Sequence, residues 1–247
     1  MDLKRMLLDK KFYLAVLLAF VGLLIGTPWP EFKVKSQTFS PFSSGTFLST
    51  LEKALKSRTV CFFIPVAAVL PCGDTYLRER QRQFLRFLIL RRGKKDYCRD
   101  KVLTTALSGA LVWVTAALLG LLFFFVLLYG REEIGRFPEN AVAELLCTVG
   151  RICLISSLLA SFGALCGTLS GSVYLALGFP FILYSFGIII RERYLESFYV
   201  IDPSEWILAK NDWGNNQYAL WLFLLLFTVS MALLHLAVLE RKVETPS

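Results

Sequence analysis

Apolar runs of about 18 residues or more recur along the chain, without the strict alternation of apolar and polar positions that marks barrel strands. Such runs predict membrane-spanning α-helices. We therefore expect an all-α polytopic membrane protein whose single transmembrane domain covers residues 1–247. The six predicted spans cover residues 12–25, 57–76, 102–129, 141–166, 172–190 and 218–239.

Three sizeable polar loops connect these spans. Residues 26–56 are rich in Ser, Phe and Lys and show no clear periodicity. Residues 191–217 mix charges with aromatic side chains, which suits a segment at the membrane interface. Residues 77–101 hold the strongest basic cluster of the chain. By contrast, the connection near Gly167–Ser172 is very short, which predicts a tight turn.

The charges divide unevenly between the two sides of this topology. The formal net charge is +8, and 16 of the 27 Lys and Arg residues lie on the side that carries both termini and segment 77–101. Cytoplasmic loops carry the excess of Lys and Arg in membrane proteins. We therefore predict that both termini and this basic segment are cytoplasmic and that segments 26–56 and 191–217 are external.

Several kinds of chemistry have no support in the sequence. Gly93-Lys94 is followed by Lys95 rather than by Ser or Thr, so no nucleotide-binding P-loop is present. The only histidine is His235, which excludes an HExxH metal site. The six cysteines form no CxxC pair and are expected to be small buried residues. We therefore predict that the chain is not an enzyme.

The spans contain few ionisable groups. Glu144 and Arg151 lie seven residues apart on the fourth predicted span, on nearly one helix face. Either they line a translocation path or a subunit interface, or Arg151 pairs with Glu144 or a carbonyl as internal support, and we favour the second. For His235 we expect a hydrogen-bonded packing role rather than a proton relay. Pro180 should kink the fifth span, as in helices of a translocation path, although most membrane prolines are structural.

The basic segment predicts a short amphipathic helix. Leu77, Phe84, Phe87 and Leu88 can share one face, and Gly93 should end the helix. The polar residues Arg78, Gln81, Arg82 and Arg86 lie on the remaining faces. Cations of this kind also bind nucleic acid, but about 26 residues held at both ends by a membrane are too few for such a domain. Contact with anionic headgroups remains reasonable.

This segment resembles the loop between the second and third spans of permeases of the type-2 ABC transporter family. The matching features are an acid (Glu79), an apolar run (residues 84–90), the following cations, and Tyr97 and Lys101 at the start of the third span. Gln83 stands where these permeases often have glycine. The topology is similar over the whole chain.

The resemblance implies a multi-pass exporter subunit of a bacterial plasma membrane, with a coupling helix that rests on a separate ATPase. It further implies a second permease copy as partner, and lipids around both. The chain itself would bind no cofactor, because ATP and Mg²⁺ belong to the ATPase. The implied coupling residues are Arg78, Glu79, Arg82, Phe84, Arg86, Phe87, Leu88, Arg91, Arg92, Tyr97 and Lys101.

Two other functions stay open. An ion-coupled secondary transporter would have to work with Glu144, Arg151 and His235 as its only ionisable groups within the spans, and we find no convincing inverted repeat. A non-transporting immunity or sensor subunit could use the same fold together with an ATPase.

Overall fold

A computed structural model of the chain describes residues 2–29, 44–81, 85–128, 140–194, 199–211, 213 and 217–244. Every regular element in these ranges is helical, which confirms an all-α protein. The α-helices are α1 (Asp2–Leu7), α2 (Lys10–Gly26), α3 (Thr46–Leu55), α4 (Arg58–Val69), α5 (Thr75–Gln81), α6 (Leu85–Arg92), α7 (Lys94–Leu128), α8 (Ala141–Ser170), α9 (Val173–Arg193), α10 (Pro203–Leu208) and α11 (Tyr218–Glu244). A 3₁₀-helix covers Tyr199–Ile201.

Four helices of the described chain are long and apolar enough to cross a membrane: α7, α8, α9 and α11. They have 35, 30, 21 and 27 residues. Each coincides with one of the third to sixth predicted spans, so the long apolar runs are confirmed as helices of a membrane protein.

The helices at the first and second predicted spans are shorter than the thickness of a bilayer. Helix α2 has 17 residues, or about 25 Å, against a hydrocarbon core of about 30 Å. The segment predicted as one span over residues 57–76 is not one helix. Helix α4 has 12 residues, and residues 70–74 then turn before α5 begins. Pro71 lacks an amide hydrogen, which interrupts the helical hydrogen bonding at this turn.

Helix α8 is the centre of the bundle. Of 18 consecutive residues in an apolar stretch of α8, 67% are buried, whereas the same share is 17% in α9 and in α11. Ile152 and Ile155 on α8 pack in the main core with Trp113 of α7. A Cβ at Gly109 of α7 would lie 2.5 Å from the Ser156 carbonyl oxygen of α8. The two backbones therefore approach so closely that only a hydrogen fits at this position.

The connection between α8 and α9 is as short as predicted. Gly171 adopts φ 70° and its N–H donates to the Gly167 carbonyl at 2.8 Å, and Ser172 precedes α9. One turn before Gly167, a Cβ at Gly163 would lie 2.5 Å from Val69 Cγ1 and 2.8 Å from the Ala176 carbonyl oxygen. The small residue therefore lets α8 pack against both α4 and α9.

One end of the bundle, which we call the basic end, consists of α1, residues 70–74, α5, α6, the first turns of α7 and the last turns of α11. A satellite core of Tyr76, Leu77, Tyr97, Cys98, Val102 and Leu239 joins α5, α7 and α11 there. Lys11, in the first turn of α2, donates to Asp74 at 2.6 Å. Helix α2 therefore begins, and α11 finishes, at the end that carries the basic segment.

The opposite end is closed by two helices that we predicted as external loops. Helix α3 lies within segment 26–56 and buries Phe47, Leu48, Leu51, Ala54 and Leu55 against α2, α7 and α8. Their spacing of three to four residues follows the helical period, so the absence of periodicity was a wrong interpretation for this part. Helix α10 lies within segment 191–217 and buries Trp206 and Ile207. Both segments therefore contribute to the core rather than only lying at an interface.

Candidate functional site

The basic segment folds into two short helices in front of a long one. Helix α5 carries Arg78 and Glu79, and α6 carries the apolar run and Arg91. Gly93 then adopts φ 82°, and α7 starts at the next residue. The predicted break at Gly93 is confirmed, since this left-handed conformation favours glycine. Arg82 and Phe84 lie outside the described residues.

A buried cluster of three side chains joins α5 to α7. Lys101 Nζ donates to Glu79 Oε1 at 2.7 Å, and the Tyr97 hydroxyl donates to Glu79 Oε2 at 2.6 Å. Only 7% of the Lys101 side chain and 14% of the Glu79 side chain are exposed. Tyr97 and Lys101 are four residues apart and so share a face of α7. Three of the residues that we predicted as coupling residues are thus in direct contact.

A second buried carboxylate joins α5 to α2. Asp74 accepts from Arg78 Nε at 2.8 Å, from Arg78 Nη2 at 3.1 Å and from Lys11 Nζ at 2.6 Å. An opposite charge within hydrogen-bond distance favours the ionised form of a buried carboxyl group, and Asp74 has two such cations. The basic segment is therefore anchored to two neighbouring helices by charge.

Helix α6 presents a different face from the one predicted. Leu88 packs with Leu85 and Ile89 on the satellite core, whereas Phe87 is 69% and Leu90 84% exposed. Phe87 and Leu88 therefore do not share a face, because consecutive residues are about 100° apart around a helix. Arg91 is exposed at the end of α6. Arg86 and Arg92 belong to the same helix, but their side chains lie outside the described part.

Of the two partners that we expected for Arg151, Glu144 or a carbonyl, the structure shows a side-chain amide carbonyl. Arg151 is buried and donates to Gln217 Oε1 at 3.1 Å and to Thr148 Oγ1 at 3.3 Å. Glu144 is exposed in the first turn of α8. Seven residues separate the two along the helix axis by about 10 Å, and the start of α11 brings a nearer amide acceptor. Arg151 is still internal support, but through Gln217.

The remaining two candidates for a translocation path lie elsewhere in the bundle. Pro180 is buried in α9 and faces Gly163 of α8, so its setting is a packing contact between helices. His235 on α11 is 1% exposed, and neither ring nitrogen has a hydrogen-bond partner in the described chain. The burial agrees with the predicted packing role, but the predicted hydrogen bond has no partner among the described residues. Within the described residues no contact joins His235, Pro180, Arg151 and Glu144 into one site.

Three contributors to these clusters were missed in the sequence: Lys11, Asp74 and Gln217. Asp74 could have been found, because a carboxylate inside a predicted span needs a partner for the same reason that Arg151 does. Lys11 and Gln217 carry no such signal, since both stand among polar residues at the start of an apolar run.

The cysteines form no disulfide in the described chain. Cys61, Cys72 and Cys98 are buried, as expected. Cys153 and Cys166 are half-buried and Cys147 is exposed on α8, so the expectation of burial fails for Cys147.

Comparisons with protein-family models, curated proteins and solved structures give no match to this chain. What the chain does is therefore inferred from its own residues and their geometry.

Proposed function

We propose that this chain is the membrane-spanning permease subunit of an ATP-binding-cassette exporter. A separate ATPase subunit, which binds ATP and Mg²⁺, docks on the exposed side of α6, and two permease chains enclose the path. The observation that carries the proposal is the Glu79 cluster, which fastens the basic segment to the first turns of the longest helix.

The docking surface is the exposed side of α6. Phe87 and Leu90 project there beside the cation Arg91. Exposed aromatic and apolar side chains next to arginine are typical of the anchoring residues of protein interfaces. A partner with an apolar pocket and an acidic rim fits this surface.

The Glu79 cluster then transmits the movement of the ATPase. Glu79 lies on α5, and both of its partners lie on α7, so a shift of the basic segment pulls directly on α7. Helix α7 has 35 residues, or about 50 Å, and runs the length of the bundle. Because α7 packs along α8, the shift reaches the centre of the bundle.

The proposal includes six spans with both termini in the cytoplasm. Helix α2 crosses the membrane, and its first residues, Lys10 and Lys11, lie on the cytoplasmic side. Helix α4 crosses the membrane together with the turn over residues 70–74. Single cysteines in place of Lys95 and Arg193, in a cysteine-free background, test this topology. An impermeant maleimide should label position 193 in intact cells and position 95 only after permeabilisation. Labelling of both positions from one side would contradict it.

The test of function is co-purification of the tagged chain from its native membrane, with mass spectrometry to identify an ATPase that carries a P-loop. Phe87→Ser together with Arg91→Glu should abolish the association. Arg193→Glu, an exposed charge at the opposite end, is the matched control and should leave it intact. If the ATPase is absent, or if its recovery is the same for both variants, the docking proposal is wrong.

Coupling is tested separately from docking. Glu79→Gln should retain the ATPase but abolish the change in ATP hydrolysis that a transported substrate produces. An unchanged response in this variant would mean that the Glu79 cluster does not transmit movement.

His235 favours a second candidate, ion-coupled transport, because it is a buried titratable group without a hydrogen-bond partner in the described chain. Transport into vesicles by a proton gradient alone, lost in His235→Leu, would support this candidate. Transport that requires ATP and survives His235→Leu would exclude it.

A further inference from the structure

A cavity of about 320 Å³ lies at the basic end, between α1, the turn over residues 70–74, α5 and α7. Its wall includes the cations Arg5, Arg78 and Lys101 and the hydroxyl-bearing residue Thr104. No described residue of α6 lines it, so it is distinct from the docking surface proposed above.

The carboxylates around the cavity are already engaged. Both oxygens of Glu79 accept hydrogen bonds from α7, and both oxygens of Asp74 are shared by two cations. Lys11 and Arg78 thus divide one negative charge between them, and a surplus of positive charge remains. Asp9 and Arg5 add one charge of each sign, which leaves the surplus unchanged.

Several residues in the cavity wall have hydrogen-bond donors that no other residue of the described chain uses. No hydrogen bond or ion pair joins Arg5 or the Thr104 hydroxyl to another residue of the described chain. Lys101 has three N–H groups and uses one of them for Glu79. Arg78 has five and uses its Nε edge for Asp74. Converging donors from arginine, lysine and a hydroxyl, with surplus positive charge, favour an anion with several acceptor oxygens.

The position of the cavity limits the kinds of anion that can bind there. Leu7 and Leu8, beside its α1 wall, are 36% and 71% exposed, as in a segment that lies at a membrane interface. Met6 and Pro71 add apolar wall next to the charged groups. Asp9 supplies one acceptor, which suits the hydroxyl or ammonium groups that headgroups carry beside their phosphate. The volume holds more than a bare phosphate ion.

We propose that this cavity binds a phosphate ester, with Arg5, Arg78, Lys101 and Thr104 around the phosphate. A phospholipid headgroup and a small soluble phosphate ester share this chemistry. The position at the interface favours the lipid headgroup. A bound headgroup would join α1 to α5 and α7, and so would stabilise the basic end.

The experiment measures thermal unfolding of the purified full chain in detergent. The probes are dioctanoyl-phosphatidylglycerol, dioctanoylglycerol, which lacks the phosphate, and glycerol 3-phosphate. The phospholipid should raise the unfolding temperature with saturation, and dioctanoylglycerol should not. An equal effect of glycerol 3-phosphate would support the site and assign it to a soluble ester, whereas no effect would assign it to the lipid.

Substitutions in the cavity wall test whether the phospholipid stabilises the chain by binding there. Arg5→Gln and Thr104→Val should each raise the half-saturating phospholipid concentration, by about tenfold for the lost charge-assisted contact of Arg5. Lys4→Gln, which removes an exposed cation from the same helix without touching the cavity, is the matched control and should change nothing. If Arg5→Gln unfolds on its own, Thr104→Val decides the question.

Two results would overturn the proposal. One is equal stabilisation by dioctanoylglycerol and by the phospholipid. The other is a half-saturating concentration that is unchanged in Thr104→Val and Arg5→Gln, or that Lys4→Gln shifts by as much.

Discussion

The contact between Glu79 and Lys101 should be among the strongest single electrostatic contributions at the basic end. The two side chains are 14% and 7% exposed and lie 2.7 Å apart. Removal of one member of a buried pair costs about 3–5 kcal/mol, because the other charge stays buried without its partner. Glu79→Gln keeps one carbonyl oxygen as acceptor, so we expect a cost near the lower limit, about 3 kcal/mol.

A double-mutant cycle isolates this contact from the packing of either side chain. Lys101→Met should also cost about 3 kcal/mol, because it leaves the Glu79 carboxylate with Tyr97 alone. The double variant Glu79→Gln/Lys101→Met removes both charges and should cost clearly less than the sum. We expect a coupling energy of about 2 kcal/mol. The measurement is equilibrium unfolding by denaturant in mixed micelles, followed by tryptophan fluorescence.

A matched control comes from the opposite end. Arg58 and Glu192 lie 3.0 Å apart but are 78% and 49% exposed, so Glu192→Gln should cost less than about 1 kcal/mol. Additivity of the Glu79 and Lys101 variants to within about 0.5 kcal/mol would refute the reasoning. The contact would then be no stronger than an exposed one, and the proposed transmission through α7 would lose its basis.

Three further predictions concern the bundle itself. Gly163→Val should destabilise the fold by about 1–3 kcal/mol through overpacking. By contrast, Gly178→Ala should not lower the unfolding temperature, because the added Cβ meets nothing within 4 Å beyond the helix's own backbone and alanine favours the helix. Gln217→Leu should cost about 1.5–3 kcal/mol in the same assay, because it removes a hydrogen-bond acceptor from the buried Arg151 guanidinium, and an unchanged stability would argue against that contact. His235→Leu should be neutral or stabilising, because it removes two buried ring nitrogens without partners, and a loss of more than about 1 kcal/mol would reveal a hydrogen bond of His235 instead.

The long helices were predictable because their signal is local. A run of apolar residues such as that in α7 has to be helical in a membrane, whatever surrounds it, since its backbone groups find no other partners there. The resemblance of the basic segment to a permease loop named Glu79, Tyr97 and Lys101 as coupling residues, but it predicted no contact between them. The spacing of Tyr97 and Lys101 placed them on one face, but the partner of that face comes from another helix.

The failures share a different cause, which is competition between partners that are distant in sequence. Arg151 had Glu144 on its own helix, yet the start of α11 supplies Gln217. The interpretation of segment 26–56 as an external loop ignored the apolar face of α3, which is buried only because α7 and α8 lie beside it. Leu88 rather than Phe87 packs inward because the satellite core fixes the rotation of α6. The partner of Arg151 and the rotation of α6 depend on which surfaces meet, and no local pattern encodes them, whereas the apolar face of α3 was present in the sequence as a helical period.

The burial of α3 also has a consequence for the order in which the chain is assembled. The ring of Phe47 on α3 packs against that of Phe125 near the end of α7, with centroids 5.5 Å apart. The ribosome makes Phe47 about 80 residues before Phe125, a delay of about 4–16 s at usual rates of synthesis. During that interval α3 has been made while part of its packing surface has not. Closure of the opposite end is therefore a late step, which follows the insertion of α7.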